Sequence, residues 1–187
     1  PHRKDEPLII VSNRGPAEFE RGPDGERRVR RGGGGLVTAL TGLATHRKVL
    51  WVASAMGDED VAVAEEAGGP VEIEMDDSSY EVDLVVSDPD AFDAFYSVIA
   101  NPQLWFVQHY LWDLSNAPDI RREEKRAWEQ GYEVVNEDIA REVLRQVEGR
   151  ESPLVMFHDY HLYTAPGIVR RSRRPSRRTR CARSRST

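Results

Sequence analysis

The chain has 187 residues, enough for one domain or for one and part of another, with 26 basic and 32 acidic side chains and a net charge of −6. Nine arginines lie between Arg170 and Arg185 and no acid follows Asp159, so residues 1–169 keep 17 basic against 32 acidic groups, a net of −15 that excludes nucleic-acid binding by bulk charge. No apolar run reaches the roughly 18 residues of a membrane helix, the single Cys181 excludes an internal disulfide framework, and the polar stretch Pro1 to Pro7 predicts no signal peptide and a cytoplasmic location.

Leu8-Ile9-Ile10-Val11 reads as a first buried strand, ending at Ser12-Asn13-Arg14-Gly15-Pro16. Residues 17–31 carry the turn signal Gly22-Pro23-Asp24-Gly25 between polar arms and read as an exposed hairpin or loop. Gly32 to Gly35 lead into Leu36, Leu40 and Leu43 at helical spacing. Val49 to Ala53 is a second buried strand. Val71 to Met75 and Tyr80 to Val86 alternate like half-exposed strands and suit an antiparallel pair.

Asp88-Pro89 predicts a helix start, with Asp88 as N-cap and Pro89 at the first position. Phe92, Phe95, Tyr96 and Ile99 form its apolar face, and Asn101-Pro102 is expected to end it. Ile120 to Glu148 predicts a long amphipathic helix through Trp128, Tyr132, Val135, Ile139, Val143 and Val147, closed by Gly149. Leu154 to Phe157 is the next strand, and Ala165 to Arg170 opens another helix. Alternating strands and helices without internal repeats give an α/β class with a mainly parallel sheet. Residues 1–171 are expected to form one domain. Residues 172–187 have no apolar period and are expected to be a disordered Arg-rich tail, read as a non-native stretch rather than as a basic arm.

Three constellations carry chemistry. Arg14 at a strand end, with Gly32 to Gly35 before a helix, suits a phosphate: glycines let backbone approach, a helix start aims N–H groups, and Arg adds a bidentate contact. The same glycines also fit a surface turn. Tyr96, Asn101, Trp105, Gln108, His109 and Trp112 suit a sugar, whose C–H face rests on rings and whose hydroxyls bond amides; they also fit core packing. His158-Asp159-Tyr160-His161 stands just beyond a buried strand, where ligands bind open α/β sheets. Asp159 can accept hydrogen bonds from a sugar hydroxyl. No third ligand accompanies His158 and His161, so neither a metal nor another cofactor is implied.

Taken in order, Ile9-Ile10-Val11-Ser12-Asn13-Arg14, Gly34-Gly35-Leu36-Val37, Leu104-Trp105, His109-Tyr110 and His158-Asp159-Tyr160-His161-Leu162 resemble the N-terminal half of the trehalose-6-phosphate synthases. The resemblance covers residue 8 to about 171. It implies the acceptor-side, truncated N-terminal domain of a GT-B architecture, in which two Rossmann-like domains face each other across a cleft. It implies retaining transfer of glucose from UDP- or GDP-glucose to glucose 6-phosphate, with no metal requirement; charge and apolar-run length already predict no nucleic-acid or membrane partner. It assigns Arg14 to the acceptor phosphate, and Gly34 and Gly35 to the loop near the donor phosphates. Tyr96, Trp105 and Trp51 are assigned to the acceptor sugar, and Asp159 to its hydroxyls. Related transferases with a glycerol phosphate or pseudo-sugar acceptor, or a non-catalytic sugar-phosphate module, remain alternatives. The pattern breaks after Ile168-Val169-Arg170, so the chain alone is expected to be inactive.

Overall fold

Leu8–Ser12 forms β1, and all five of its residues are buried. In the computed structural model, which describes residues 8–33, 48–75, 78–111, 120–150 and 152–173, this strand lies inside a five-stranded sheet of order β5-β6-β4-β1-β7. The other members are β4 (Val49–Ser54), β5 (Val71–Met75), β6 (Ser78–Val85) and β7 (Val155–Phe157). β1 runs parallel to β4 and β7, and β4 parallel to β6; only β5 is antiparallel, on the outer edge. This is the expected α/β class with a mainly parallel sheet.

Strand side chains alternate between faces, and here both faces are covered. Ile9, Val11, Leu50 and Val52 point into one core with Phe95, Tyr132, Val135, Ile139 and Val143. Leu8, Ile10, Val49, Trp51 and Ala53 point into the other with Val63, Ile73, Tyr80 and Val82. Two buried faces explain why β1 and β4 read as unbroken apolar runs rather than as alternating ones.

The predicted hairpin is present as β2 (Ala17–Arg21) and β3 (Arg27–Arg31), paired antiparallel outside the main sheet. It is fastened to α1 (Asp58–Ala67) by the buried Asp60, whose two oxygens accept from Phe19 N at 2.7 Å and Met56 N at 2.9 Å. The periodicity reading did not identify α1, because only Asp60 and Val63 of its ten residues are buried.

Two helical rods cover the first core. The first, α2, comprises Pro89–Asp93, a π-helical stretch Ala94–Leu104, and Trp105–Gln108. Asp88 caps it as expected, accepting from Ala91 N at 3.0 Å. Asn101-Pro102 does not end it. Pro102 lies within the π-helical stretch, whose i→i+5 winding relaxes the clash that a proline ring makes with the i−4 carbonyl. The second, α3, comprises Arg122–Ala127, a π turn Trp128–Tyr132, and Glu133–Gln146. It starts at Arg122 rather than Ile120, where the Glu124 carboxylate accepts from Arg121 N at 2.7 Å. Gly149, at φ 73°, turns the chain away as expected.

The rods touch at Gly131. A Cβ there would stand 2.7 Å from Ala94 Cβ and from Phe95 N, so only glycine permits this approach. The chain then passes through β7, a 3-10 turn at Tyr160–Leu162, and α4 (Ala165–Ser172). Gly34, Gly35, the expected helix from Leu36, Trp112 and the tail from residue 174 lie outside the described residues.

Candidate functional site

Parallel strands leave their carboxyl ends on one edge of a sheet, and loops from different strands meet there. β1 delivers Arg14 to that edge and β7 delivers His158 to His161. α2 brings Tyr96 between them. Arg14 Nη2 donates to the Tyr96 hydroxyl at 3.2 Å, and Nη1 faces Glu18 Oε1 at 3.3 Å. Tyr96 stacks on His161 with centroids 5.8 Å apart, and on Phe92 at 6.0 Å. Tyr160 Oη donates to Asn101 Oδ1 at 3.1 Å. The guanidinium, the phenol, the imidazole and the Asp159 carboxylate thus belong to one connected group.

Asp159 holds an uncommon backbone. Its φ of 75° with ψ 162° is a region that nearly only glycine visits. Such a position costs of the order of 1–3 kcal/mol and persists only when its surroundings enforce it. Here the enforcing contacts are identifiable. Asp159 Oδ1 accepts from Tyr160 N at 2.7 Å, and Oδ2 faces His161 Nδ1 at 3.2 Å. α3 holds the rest of the turn. The buried Tyr132 hydroxyl donates to Tyr160 O at 2.7 Å and accepts from Tyr163 N at 3.0 Å. The buried Asn136 amide donates to His161 O at 3.0 Å and accepts from Ala165 N at 3.1 Å.

The electrostatics suit an anionic, hydroxyl-rich ligand. Burial pushes the Asp159 carboxyl up, but hydrogen bonds from His161 and Tyr160 N outweigh it and leave it below its ordinary value. It therefore stays an acceptor at neutral pH. Burial lowers His158, against the opposing pull of Asp159. The hydrogen bond to Tyr96 raises Arg14 further above neutrality, while the same bond lowers Tyr96. Arg14 remains exposed enough for a ligand to reach it, its side chain being 45% accessible.

Arg14, Tyr96 and Asp159 are therefore brought together. Trp105, 37% exposed, stands at the end of α2 with its ring 4.4 Å from His109. Tyr163 Oη donates to Gln108 Oε1 at 2.8 Å and ties that end of α2 to the Asp159 turn. Trp51 is the exception. Its side chain is wholly buried on the opposite sheet face, where its indole N–H donates to Ser12 Oγ at 2.7 Å. This corrects the expectation of direct sugar contact: the period-two alternation of β4 turns Trp51 into the core. Gly34 and Gly35 lie outside the described residues.

Sequence reasoning missed the supporting roles of Tyr132 and Asn136. Tyr132 was visible only as one more ring of an apolar stripe. Asn136 did leave a signal, a polar residue four positions on, on the same face. A buried amide is costly unless fully bonded, so its position called for backbone partners.

The family described as Glycosyltransferase family 20 matches residues 6–177. Among curated relatives, alpha,alpha-trehalose-phosphate synthase [UDP-forming] 1 of Aspergillus niger is 32% identical over 163 residues, covering 87% of this chain and 29% of its own length. Among solved structures, a Burkholderia xenovorans alpha,alpha-trehalose-phosphate synthase in complex with glucose-6-phosphate aligns with a TM-score of 0.56 at 20% identity, over 88% of this chain and 30% of that one. An Escherichia coli structure described as bound with UDP-2-fluoro glucose aligns with the same TM-score at 22% identity, over 88% and 30%. These structural likenesses show a shared fold. The chain spans less than a third of the length of the relatives it matches.

Proposed function

Because the chain belongs to glycosyltransferase family 20, we propose that it is the acceptor-side part of a glucosyltransferase that makes trehalose 6-phosphate. In this reading glucose passes with retention from a nucleotide-glucose donor to glucose 6-phosphate. UDP-glucose is the favoured donor, since the Aspergillus relative is named UDP-forming and the Escherichia coli structure holds a UDP-glucose analogue. Residues 1–171 would form the N-terminal domain of a GT-B architecture, with the Arg-rich stretch 172–187 outside it.

The observation that carries the reading is the joining of Arg14, Tyr96, His161 and Asp159 at the carboxyl edge of the sheet. Each part matches a part of the acceptor. A dianionic phosphate meets the guanidinium of Arg14, which can bind it bidentately. Tyr96 and Trp105 offer ring surface to the pyranose, and the Asp159 carboxylate accepts from its hydroxyls. Gly34 and Gly35 would serve the donor phosphates through backbone N–H groups. Developing charge on the departing nucleoside diphosphate calls for positive electrostatics rather than for a protein nucleophile.

The test is calorimetric titration of the chain with glucose 6-phosphate, glucose and glycerol 3-phosphate. The expected order places glucose 6-phosphate tightest, with the preference over glucose abolished in Arg14→Ala. Equal binding of glucose and glucose 6-phosphate by the unaltered chain would remove Arg14 from the phosphate role. Preference for glycerol 3-phosphate would point to a related transferase.

A further inference from the structure

We propose that Trp51 and Ser12 are positioning residues for Arg14, acting through a one-way hydrogen-bond relay beneath the site. This rests on the reading of Arg14 as the phosphate ligand. The relay has a determined direction. An indole N–H can only donate, so Ser12 Oγ accepts from Trp51 Nε1 at 2.7 Å. The single hydroxyl proton is then free for the Arg14 carbonyl, which lies 2.6 Å away. Trp51 is fully buried and Ser12 is 1% exposed, so water does not compete for either group.

The register explains the meeting. Trp51 stands opposite Ile10 on the neighbouring strand, and Ser12 lies two residues further on the same face. Ser54 N donates to Asn13 O at 3.1 Å and pins the next backbone group to β4. A Cβ on Gly15 would come 3.3 Å from Ala53 Cβ, so the turn lies close against the same strand. By contrast, among the described residues the Arg14 side chain has a 3.2 Å bond to a hydroxyl and a 3.3 Å ion pair with Glu18, both near solvent. Its aim is therefore set by the backbone that carries it, and that backbone is held by the relay. A tryptophan that contacts no ligand thereby acts on phosphate recognition.

Three variants of the full chain test this. Trp51→Phe keeps ring bulk and removes the N–H, Ser12→Ala removes both bonds, and Ser12→Thr restores the hydroxyl. Each is titrated with glucose 6-phosphate and with glucose below its own unfolding temperature. Trp51→Phe and Ser12→Ala are expected to weaken glucose 6-phosphate binding roughly five- to tenfold, the scale of one hydrogen bond between neutral groups. Glucose binding is expected to stay unchanged, and Ser12→Thr to behave as the unaltered chain. A general loss of packing would weaken both ligands alike, and that result overturns the relay. If the unaltered chain prefers glucose 6-phosphate and both relay variants keep that preference, the positioning role is refuted while the reading of Arg14 stands. If the unaltered chain shows no such preference, the reading of Arg14 itself fails. The relay is then judged by amide NMR: signals of Asn13 to Gly15 are expected to move and broaden in Trp51→Phe, and unchanged signals refute it.

Discussion

Asp83 offers a sharp test of the packing between the sheet and α3. It sits in β6, 3% exposed, on the face that meets α3. Gln146 Nε2 donates to Asp83 Oδ2 at 2.7 Å and to Glu142 Oε1 at 3.0 Å, so one amide bridges two carboxyl groups. Arg145 pairs with Glu142 from the other side at 2.7 Å. Burial, then the neighbouring Glu142, push the Asp83 carboxyl from 3.8 up to about 7. Burial also pushes Glu142 up, but hydrogen bonds from Asp83, Arg145 and Gln146 outweigh it and leave it lowered. The proton therefore resides on Asp83 and the charge on Glu142.

A carboxyl that holds its proton more tightly folded than unfolded gives stability that is fully present below pH 3.8 and is lost as pH rises through about 7. At 1.36 kcal/mol per pH unit, about 2–3 kcal/mol of that loss falls between roughly pH 5 and 8. Asp83→Asn supplies a permanent N–H toward Glu142 and removes the titration. Urea unfolding of both chains across this range should show the variant gaining about 2–3 kcal/mol relative to the parent as pH rises. A constant difference between the two chains from pH 5 to 8 would show that no proton is shared there, and the argument would fail.

Other substitutions test the site and its supports. Glu18→Gln releases Arg14 from its 3.3 Å ion pair, though Glu18 also pairs with Arg30 at 2.7 Å. Since partly exposed pairs are worth about 0.2–1 kcal/mol, glucose 6-phosphate affinity should rise by up to about fivefold at low salt; a weaker complex would contradict the competition. Tyr132→Phe strands Tyr163 N and Tyr160 O in the interior and should cost about 1–3 kcal/mol by urea unfolding. Asp60→Ala should cost a similar ~1–3 kcal/mol and should expose the amide of Phe19 to hydrogen exchange. An unaltered Phe19 exchange rate would show that the hairpin is held by its surface ion pairs instead.

The sheet was legible because its strands are buried on both faces, so β1 and β4 stand out as unbroken apolar runs between polar turns. Asp88-Pro89 gave one helix start correctly because a cap is local chemistry. What local patterns do not carry is winding and direction. The π-helical stretch contains Pro102, whereas Asn101-Pro102 read locally is a helix stop. Trp51 was misplaced for a related reason. Trp51 is the third of six residues in a strand buried on both faces, so either direction would place its ring in a core, and that is plain only once both cores are known. Arg14, Tyr96 and Asp159 could be singled out because strand ends and aromatic clusters are visible in a sequence, and the fold gathers them at one edge of the sheet. Asn136 serves loops 25 and 29 residues away, a separation that no short motif spans.

The close approach at Gly131 makes the site a matter of spacing as well as of chemistry. α2 carries Tyr96, while α3 carries the Tyr132 that holds the turn bearing His161, and Phe95 and Tyr132 lie 5.7 Å apart beside the crossing. The gap between the rods is thus the gauge that sets the aromatic wall against the carboxylate turn. One methyl group added at residue 131 would reset that gauge without touching a ligand. A population of variants would then show a binding defect mapping to a residue on neither wall of the site, and because two of the three close contacts are to backbone, at Phe95 N and Ala91 O, thinning the Ala94 side chain alone should not suppress it.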